Sequence, residues 1–187
     1  MTASRPFRVL CADPPWKFSD RVARPGKGRG ASNHYKTLTV QQLMAFPQPR
    51  MAEDALLFLW RVAAMTSEAM DVARAWGFVP KAEIVWVKTR PSAREPMRLN
   101  IGMGRYTRGS HEVAMICARG KGHKVIRDHS IPSVFYAPVG EHSAKPGAFY
   151  DMVEDLARGP YVELFARRPR EKWVQFGDQL PGAEAHP

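Results

Sequence analysis

The sequence has little cysteine, no long apolar run and almost no acid in its longest polar stretches. Only Cys11 and Cys117 occur among 187 residues, each inside an apolar, strand-like run. They read as buried packing residues and exclude a disulfide framework or a thiolate metal site. The six histidines show no paired ligand spacing, so no metal is expected. The longest apolar run, Ala55 to Trp60, is far too short to cross a membrane. Asp13 and two prolines interrupt any secretory core at the N-terminus, and a cytoplasmic protein without membrane contact is expected.

The shortage of acid is local. Overall, 28 Lys+Arg face 18 Asp+Glu, giving +10 and a pI near 10.0. Lys17, Arg21, Arg24, Lys27, Arg29 and Lys36 are opposed within their stretch by Asp20 alone. Arg90, Arg94, Arg98, Arg105 and Arg108 are opposed by Glu95 alone, and Arg119, Lys121, Lys124 and Arg127 form a third basic segment. All three lie between strand-like stretches, the placement expected of a phosphate-binding rim; nucleic acid is the partner such a rim attracts. With 44% hydrophobic and 25% charged residues, the chain is expected to form a single domain over 1–187, with long loops at about 17–37 and 89–110.

What the chain does have is an orderly alternation of strands and helices. Val9 to Ala12 is a short buried strand. Thr39 and Gln42 have capping-box spacing and predict a helix from Val40 that ends before Pro47. Ala55 to Trp60 suits a strand buried on both faces. Thr66 or Ser67 is expected to cap a helix running to Trp76, closed by Gly77. Strands are expected over Ala82–Lys88 and Glu112–Ala118, a helix from about Gly147 to Ala157, then a buried strand Tyr161–Ala166 that carries Glu163. A charge inside such a run must be paired, at an edge, or functional. Trp173 to Gly177 is a candidate final strand.

The first strand ends at Asp13-Pro14-Pro15-Trp16. Neither proline can continue a ladder, so a carboxylate, two stiff backbone units and an aromatic ring come together at a strand's carboxyl end, where open α/β sheets bind ligands. Aligned carbonyl acceptors beside a flat ring suit a planar molecule bearing an NH2 group, adenine or cytosine.

Asp13-Pro14-Pro15-Trp16 resembles the tetrad of S-adenosylmethionine (SAM)-dependent amino methyltransferases of the MT-A family, which methylate the N(6) amine of adenine. His142-Ser143, then Lys145-Pro146, a helix, and a strand ending Glu163-Leu164-Phe165-Ala166-Arg167, with Trp173 and Gly177-Asp178-Gln179-Leu180 beyond, are similar to the cofactor half of the family's circularly permuted, beta-class members. Glu83 to Thr89 and Gly104-Arg105-Tyr106 through Glu112 resemble its second substrate loop and flanks. The resemblance spans about residues 7 to 180.

It implies a Rossmann-like α/β fold: a mostly parallel central sheet with helices on both faces, and the catalytic motif before the SAM motif. Asp13, Pro14, Pro15 and Trp16 are implied as catalytic, with Trp16 stacking the base. Asp13, Lys145, Glu163, Phe165, Arg167, Asp178 and Gln179 are implied to hold SAM, Lys145 at its carboxylate. Lys17, Tyr35, Lys88, Arg105, Tyr106 and Glu112 are the substrate-side candidates. The implied reaction is N(6)-adenine methylation of nucleic acid, with DNA slightly favoured. RNA, a cytosine or glutamine acceptor, and an inactive basic subunit of the same fold remain alternatives; a homodimer is among the assemblies implied.

Three departures bear on the cofactor side. The glycine-rich SAM loop is absent, Ala166 stands where some members have glycine, and Asp178 replaces the usual asparagine.

Overall fold

A computed structural model describes residues 5–17, 37–91, 97–102, 106–140 and 144–180. Tyr35, Arg105, His142 and Ser143, with most of the first loop, lie outside the described residues.

Seven strands form one sheet: β1 (Phe7–Ala12), β2 (Met51–Arg61), β3 (Val79–Thr89), β4 (His111–Arg119), β5 (Val134–Pro138), β6 (Tyr161–Leu164) and β7 (Trp173–Phe176). Their order is β5-β3-β4-β2-β1-β6-β7. Every pairing is parallel except the two made by β4, which runs against β2 and β3. The sheet is therefore mostly parallel, with one reversed strand inside it.

Helices cover both faces, as their apolar patterns require. On one face α1 (Val40–Met44) and α2 (Thr66–Ala75) bury Leu43, Ala69, Val72 and Ala73 against Leu10, Ala12, Leu57, Leu59 and Leu164. On the other, α3 (Gly147–Leu156) buries Phe149, Val153 and Leu156 against Val9, Cys11, Phe58 and Trp60. Alternate residues of β1 and β2 thus serve opposite cores, which is why these strands are continuous apolar runs. Each large side chain buried there contributes roughly 1.5–3 kcal/mol. Cys11 and Cys117 are both buried and free.

The capping box predicted for α1 is present: the Gln42 amide N–H donates to Thr39 Oγ1 and the Thr39 amide to Gln42 Oε1. The expected cap of α2 is absent. A short 3-10 turn over Ala63–Met65 feeds directly into the helix, and the Thr66 hydroxyl donates back to the Ala63 carbonyl. Gly77 closes α2 at φ 81°, as expected of a left-handed C-terminal residue. β6 stops two residues earlier than the sequence suggests, because Phe165 takes φ 63° and turns the chain. β5 has no counterpart among the sequence expectations; it lies at the sheet edge with Val134 and Tyr136 exposed and Ala137 buried. Among the described residues, no helix is long and apolar enough to cross a membrane.

Candidate active site

The carboxyl ends of β1 and β6 open into a cleft of about 650 Å³, counting its mouth. Asp13, Lys145, Glu163, Phe165 and Arg167 line it together with Tyr150, Arg170 and Gln175.

β1 delivers Asp13, and two prolines then fix the path of the chain. The Trp16 amide donates to the Pro14 carbonyl at 2.8 Å, and the Pro15 carbonyl accepts from Leu38 N–H at 2.8 Å. Pro14 keeps a second lone pair for a ligand. Trp16 does not offer its ring as expected. It is 5% exposed, sits in the core with Leu43 and Trp76, and its indole N–H donates to the Trp60 carbonyl at 3.0 Å. Burial of so large a ring, with its one polar atom satisfied, outweighs display at the surface. The correction is that Trp16 anchors the turn and is no platform for a base.

Lys145 is the centre of the charged half. Its Nζ lies 2.9 Å from Asp13 Oδ1, 3.0 Å from Glu112 Oε2 and 4.9 Å from the centre of the Trp60 ring. Glu112 Oε1 accepts from Lys88 Nζ at 2.6 Å, and Arg167 approaches Asp13 Oδ2 at 3.4 Å. Five side chains named from sequence as cofactor or substrate candidates are thus one ion-pair network. Reversed β4 makes this possible: Glu112 stands near its start, beside the end of β3 that carries Lys88. Burial alone would raise the Glu112 carboxyl, but the Lys145 and Lys88 ammonium groups hold it below its ordinary value. Burial would likewise lower Lys145, and Asp13 and Glu112 reverse that and raise it.

Glu163 forms the neutral half. It is 4% exposed. Oε1 accepts from the Tyr150 hydroxyl at 2.6 Å and Oε2 from Gln175 Nε2 at 2.7 Å. Burial pushes its carboxyl up to about 7; the two hydrogen bonds oppose this and the Asp13 charge adds to it. Phe165, in its left-handed conformation, packs on Phe46 with ring centres 4.6 Å apart. Gly177 lets the next turn approach: a Cβ there would meet the Ala166 carbonyl oxygen at 2.2 Å.

The remaining candidates divide. Asp178 and Gln179 sit exposed in the turn after β7 and are not among the residues lining the cleft. Lys17 is exposed at the end of the tetrad, where its amide donates to Leu38 O at 3.0 Å. Tyr106 is 93% exposed. Sequence reasoning missed Trp60, Tyr150 and Gln175. Gln175 alone carried a signal, as a polar residue alternating with Trp173 on a strand that pairs with β6 at Glu163.

A mostly parallel sheet with helices on both faces, ending in an acidic strand tip beside a cleft, is a Rossmann-like fold of the methyltransferase type. The family profile described as MT-A70 matches residues 7–179. The chain belongs to the MT-A70 family. It is 32% identical over 184 residues to a rice protein named "Probable N(6)-adenosine-methyltransferase MT-A70-like", covering 94% of this chain and 23% of that protein. It is 29% identical to the human "N(6)-adenosine-methyltransferase catalytic subunit METTL3", covering 94% and 28%. The "Type II methyltransferase M.MunI" of Mycoplasma sp is 26% identical over 192 residues, covering 94% and 78%. The chain spans about a quarter of the length of the first two relatives.

Proposed function

We propose that the chain is a single methyltransferase domain that transfers a methyl group from SAM to the N(6) amine of adenine in nucleic acid. The observation that carries this is the meeting of Asp13, Lys145, Arg167 and Glu163 around one cleft. These groups fit an amino-acid nucleoside. Lys145 and Arg167 supply positive charge for its carboxylate, Asp13 negative charge for its ammonium, Glu163 acceptors for ribose hydroxyls, and Phe165 an apolar wall. When bound, SAM supplies an electrophilic methyl group on a sulfonium.

Adenine's amine is a poor nucleophile, because its lone pair is delocalised into the ring. The Asp13 carboxylate and the free lone pair of the Pro14 carbonyl accept its two N–H bonds, which draws the nitrogen toward sp3 character and aims its lone pair into the cleft. Asp13 is also the base placed to take the proton that nitrogen loses. The rate then comes mainly from positioning and electrostatics. Pro15 keeps the turn stiff. With Trp16 in the core, stacking on the base passes to exposed Tyr106 and to Tyr35. Lys17, Arg105 and the other basic groups of the two loops contact phosphate, and Lys88 with Glu112 anchors the second loop. Asp178 and Gln179 reach the ribose if their turn folds inward. A target base must be unpaired or flipped out before it can enter. DNA is the slightly favoured substrate and RNA the alternative; relatives named as N(6)-adenosine-methyltransferases and as a type II methyltransferase are compatible with either.

Methyl transfer from labelled SAM to single-stranded DNA, duplex DNA and RNA tests this beside Asp13→Asn. Label on adenine in one substrate, reduced at least about 100-fold in the variant, is the expected result. Wild type that binds nucleic acid but transfers nothing with any of the three would replace this reading with a binding subunit.

A further inference from the structure

Glu163 is held more elaborately than a simple wall of the cleft requires. Its Tyr150 donor is immobilised on three sides. The Trp173 ring meets it edge-on at 5.5 Å, Phe149 at 5.4 Å, and the Arg170 guanidinium lies 5.3 Å over its face. Arg170 is fixed in turn by Asp151 at 2.7 Å and by Glu154. Burial, then the Glu163 charge, raises the Tyr150 hydroxyl well above its ordinary value, so it remains a donor throughout the working range of pH.

The second donor is equally constrained. Gln175 Oε1 accepts from the Arg170 amide at 2.7 Å, and its Nε2 donates to both Glu163 Oε2 and the Arg168 carbonyl. That pattern uses every polar atom of the amide and admits one orientation. Each Glu163 oxygen therefore has one fixed neutral donor and one lone pair left over. A ligand with two adjacent hydroxyls completes this set when the carboxylate is ionised and loses an acceptor when it is protonated.

We propose that Tyr150 and Gln175 are positioning residues that clamp the Glu163 carboxylate and set the pH at which the cleft accepts the cofactor's ribose. The inference rests on the cofactor reading above. The titratable and charged groups around Glu163 are Cys11 and Asp13 on and after β1, Lys145 and Tyr150 before and on α3, and Arg167, Arg168 and Arg170 after β6. Burial raises the Cys11 thiol well above its ordinary value, so it stays neutral. Asp13 is occupied by Lys145 and Arg167. Removing one neutral donor from Glu163 therefore favours its protonated form and moves its midpoint upward.

The test uses the full chain with S-adenosylhomocysteine, the demethylated product of SAM, as probe. Its affinity is measured by calorimetry between pH 5.5 and 9 for wild type, Tyr150→Phe and Gln175→Met. In parallel, the carboxyl-13C signal of Glu163, assigned by its loss in Glu163→Gln, is titrated in each folded protein. Wild-type affinity should rise about tenfold across the Glu163 midpoint. Tyr150→Phe should move both the signal and the affinity profile up by about one pH unit, with affinity recovering to near wild type at pH 9. Gln175→Met should move them the same way. A loss by the same factor at every pH, with an unmoved carboxyl midpoint, is the signature of a merely structural role and overturns the proposal. A wild type that binds no probe at any pH removes the cofactor reading; the carboxyl titration then decides the clamp alone, standing if the midpoint shifts and falling if it does not.

Discussion

Two glutamates near Asp13 and Lys145, Glu112 partly exposed and Glu163 buried, behave oppositely. Glu112 is held by two ammonium groups and its carboxyl lies below the ordinary value; Glu163 is held by a hydroxyl and an amide and lies near 7. Burial raises both. What decides the outcome is whether the donors carry charge, since a neutral hydrogen bond offsets only part of the desolvation of an ion and an ammonium reverses it. The cleft thus has one end that is charged at all working pH values and another poised to change.

Replacing Lys145 by methionine breaks the contrast most severely, because it leaves Asp13 and Glu112 facing each other without their shared cation. Methyl transfer should fall at least about 100-fold, and stability by roughly 3 kcal/mol, as when one member of a buried pair is removed. Denaturant unfolding at pH 7 checks the second figure.

Glu163→Gln tests the neutral end. The native Glu163 binds its proton up to about pH 7, whereas the unfolded chain releases it near 4.5. Between those values the folded state holds more protons, so this group lowers stability as pH rises. The stability of Glu163→Gln relative to wild type should therefore increase by about 3 kcal/mol from pH 4.5 to 7.5. A difference that stays flat would show that Glu163 is ionised throughout.

Glu112→Gln should show the reverse slope and the smallest effect. A lowered folded value means that its contribution is present above the unfolded value and disappears as pH falls through the folded one. Wild type should lead the variant by about 1 kcal/mol at pH 7 and lose that lead in acid, and added salt should erode it, as for other partly exposed pairs.

The sequence made much of this legible, and the reasons are specific. Strand periodicity located β1, β2, β3 and β4, because their apolar runs are long enough to exclude other readings. The ordered motifs named Asp13, Lys145, Glu163 and Arg167, and the fold brings all four to one cleft. Trp16 was read the wrong way round because a proline turn has no periodicity to say which way a ring points. Its orientation follows from a hydrogen bond to Trp60, 44 residues away. Tyr150 was invisible for a similar reason: on an amphipathic helix it resembles any core-flanking aromatic, and only the parallel register of β6 and β7 beside α3 gives it a role. β5 was missed although Val134 to Pro138 is an apolar run, because five residues set between Pro132 and Pro138 read equally well as a loop.

The reversal of β4 has a consequence for how such a domain can diverge. The feet of both long loops are pinned on the same rim: Lys17 to Leu38 beside the tetrad, and Lys88 to Ser110 where β3 passes toward β4. Once its ends are fixed, doubling a loop's length costs only about 0.6 kcal/mol of closure entropy. On the proposed function, insertion at these two hems would change target preference while the strands, the lysine between its carboxylates and the cleft keep their places.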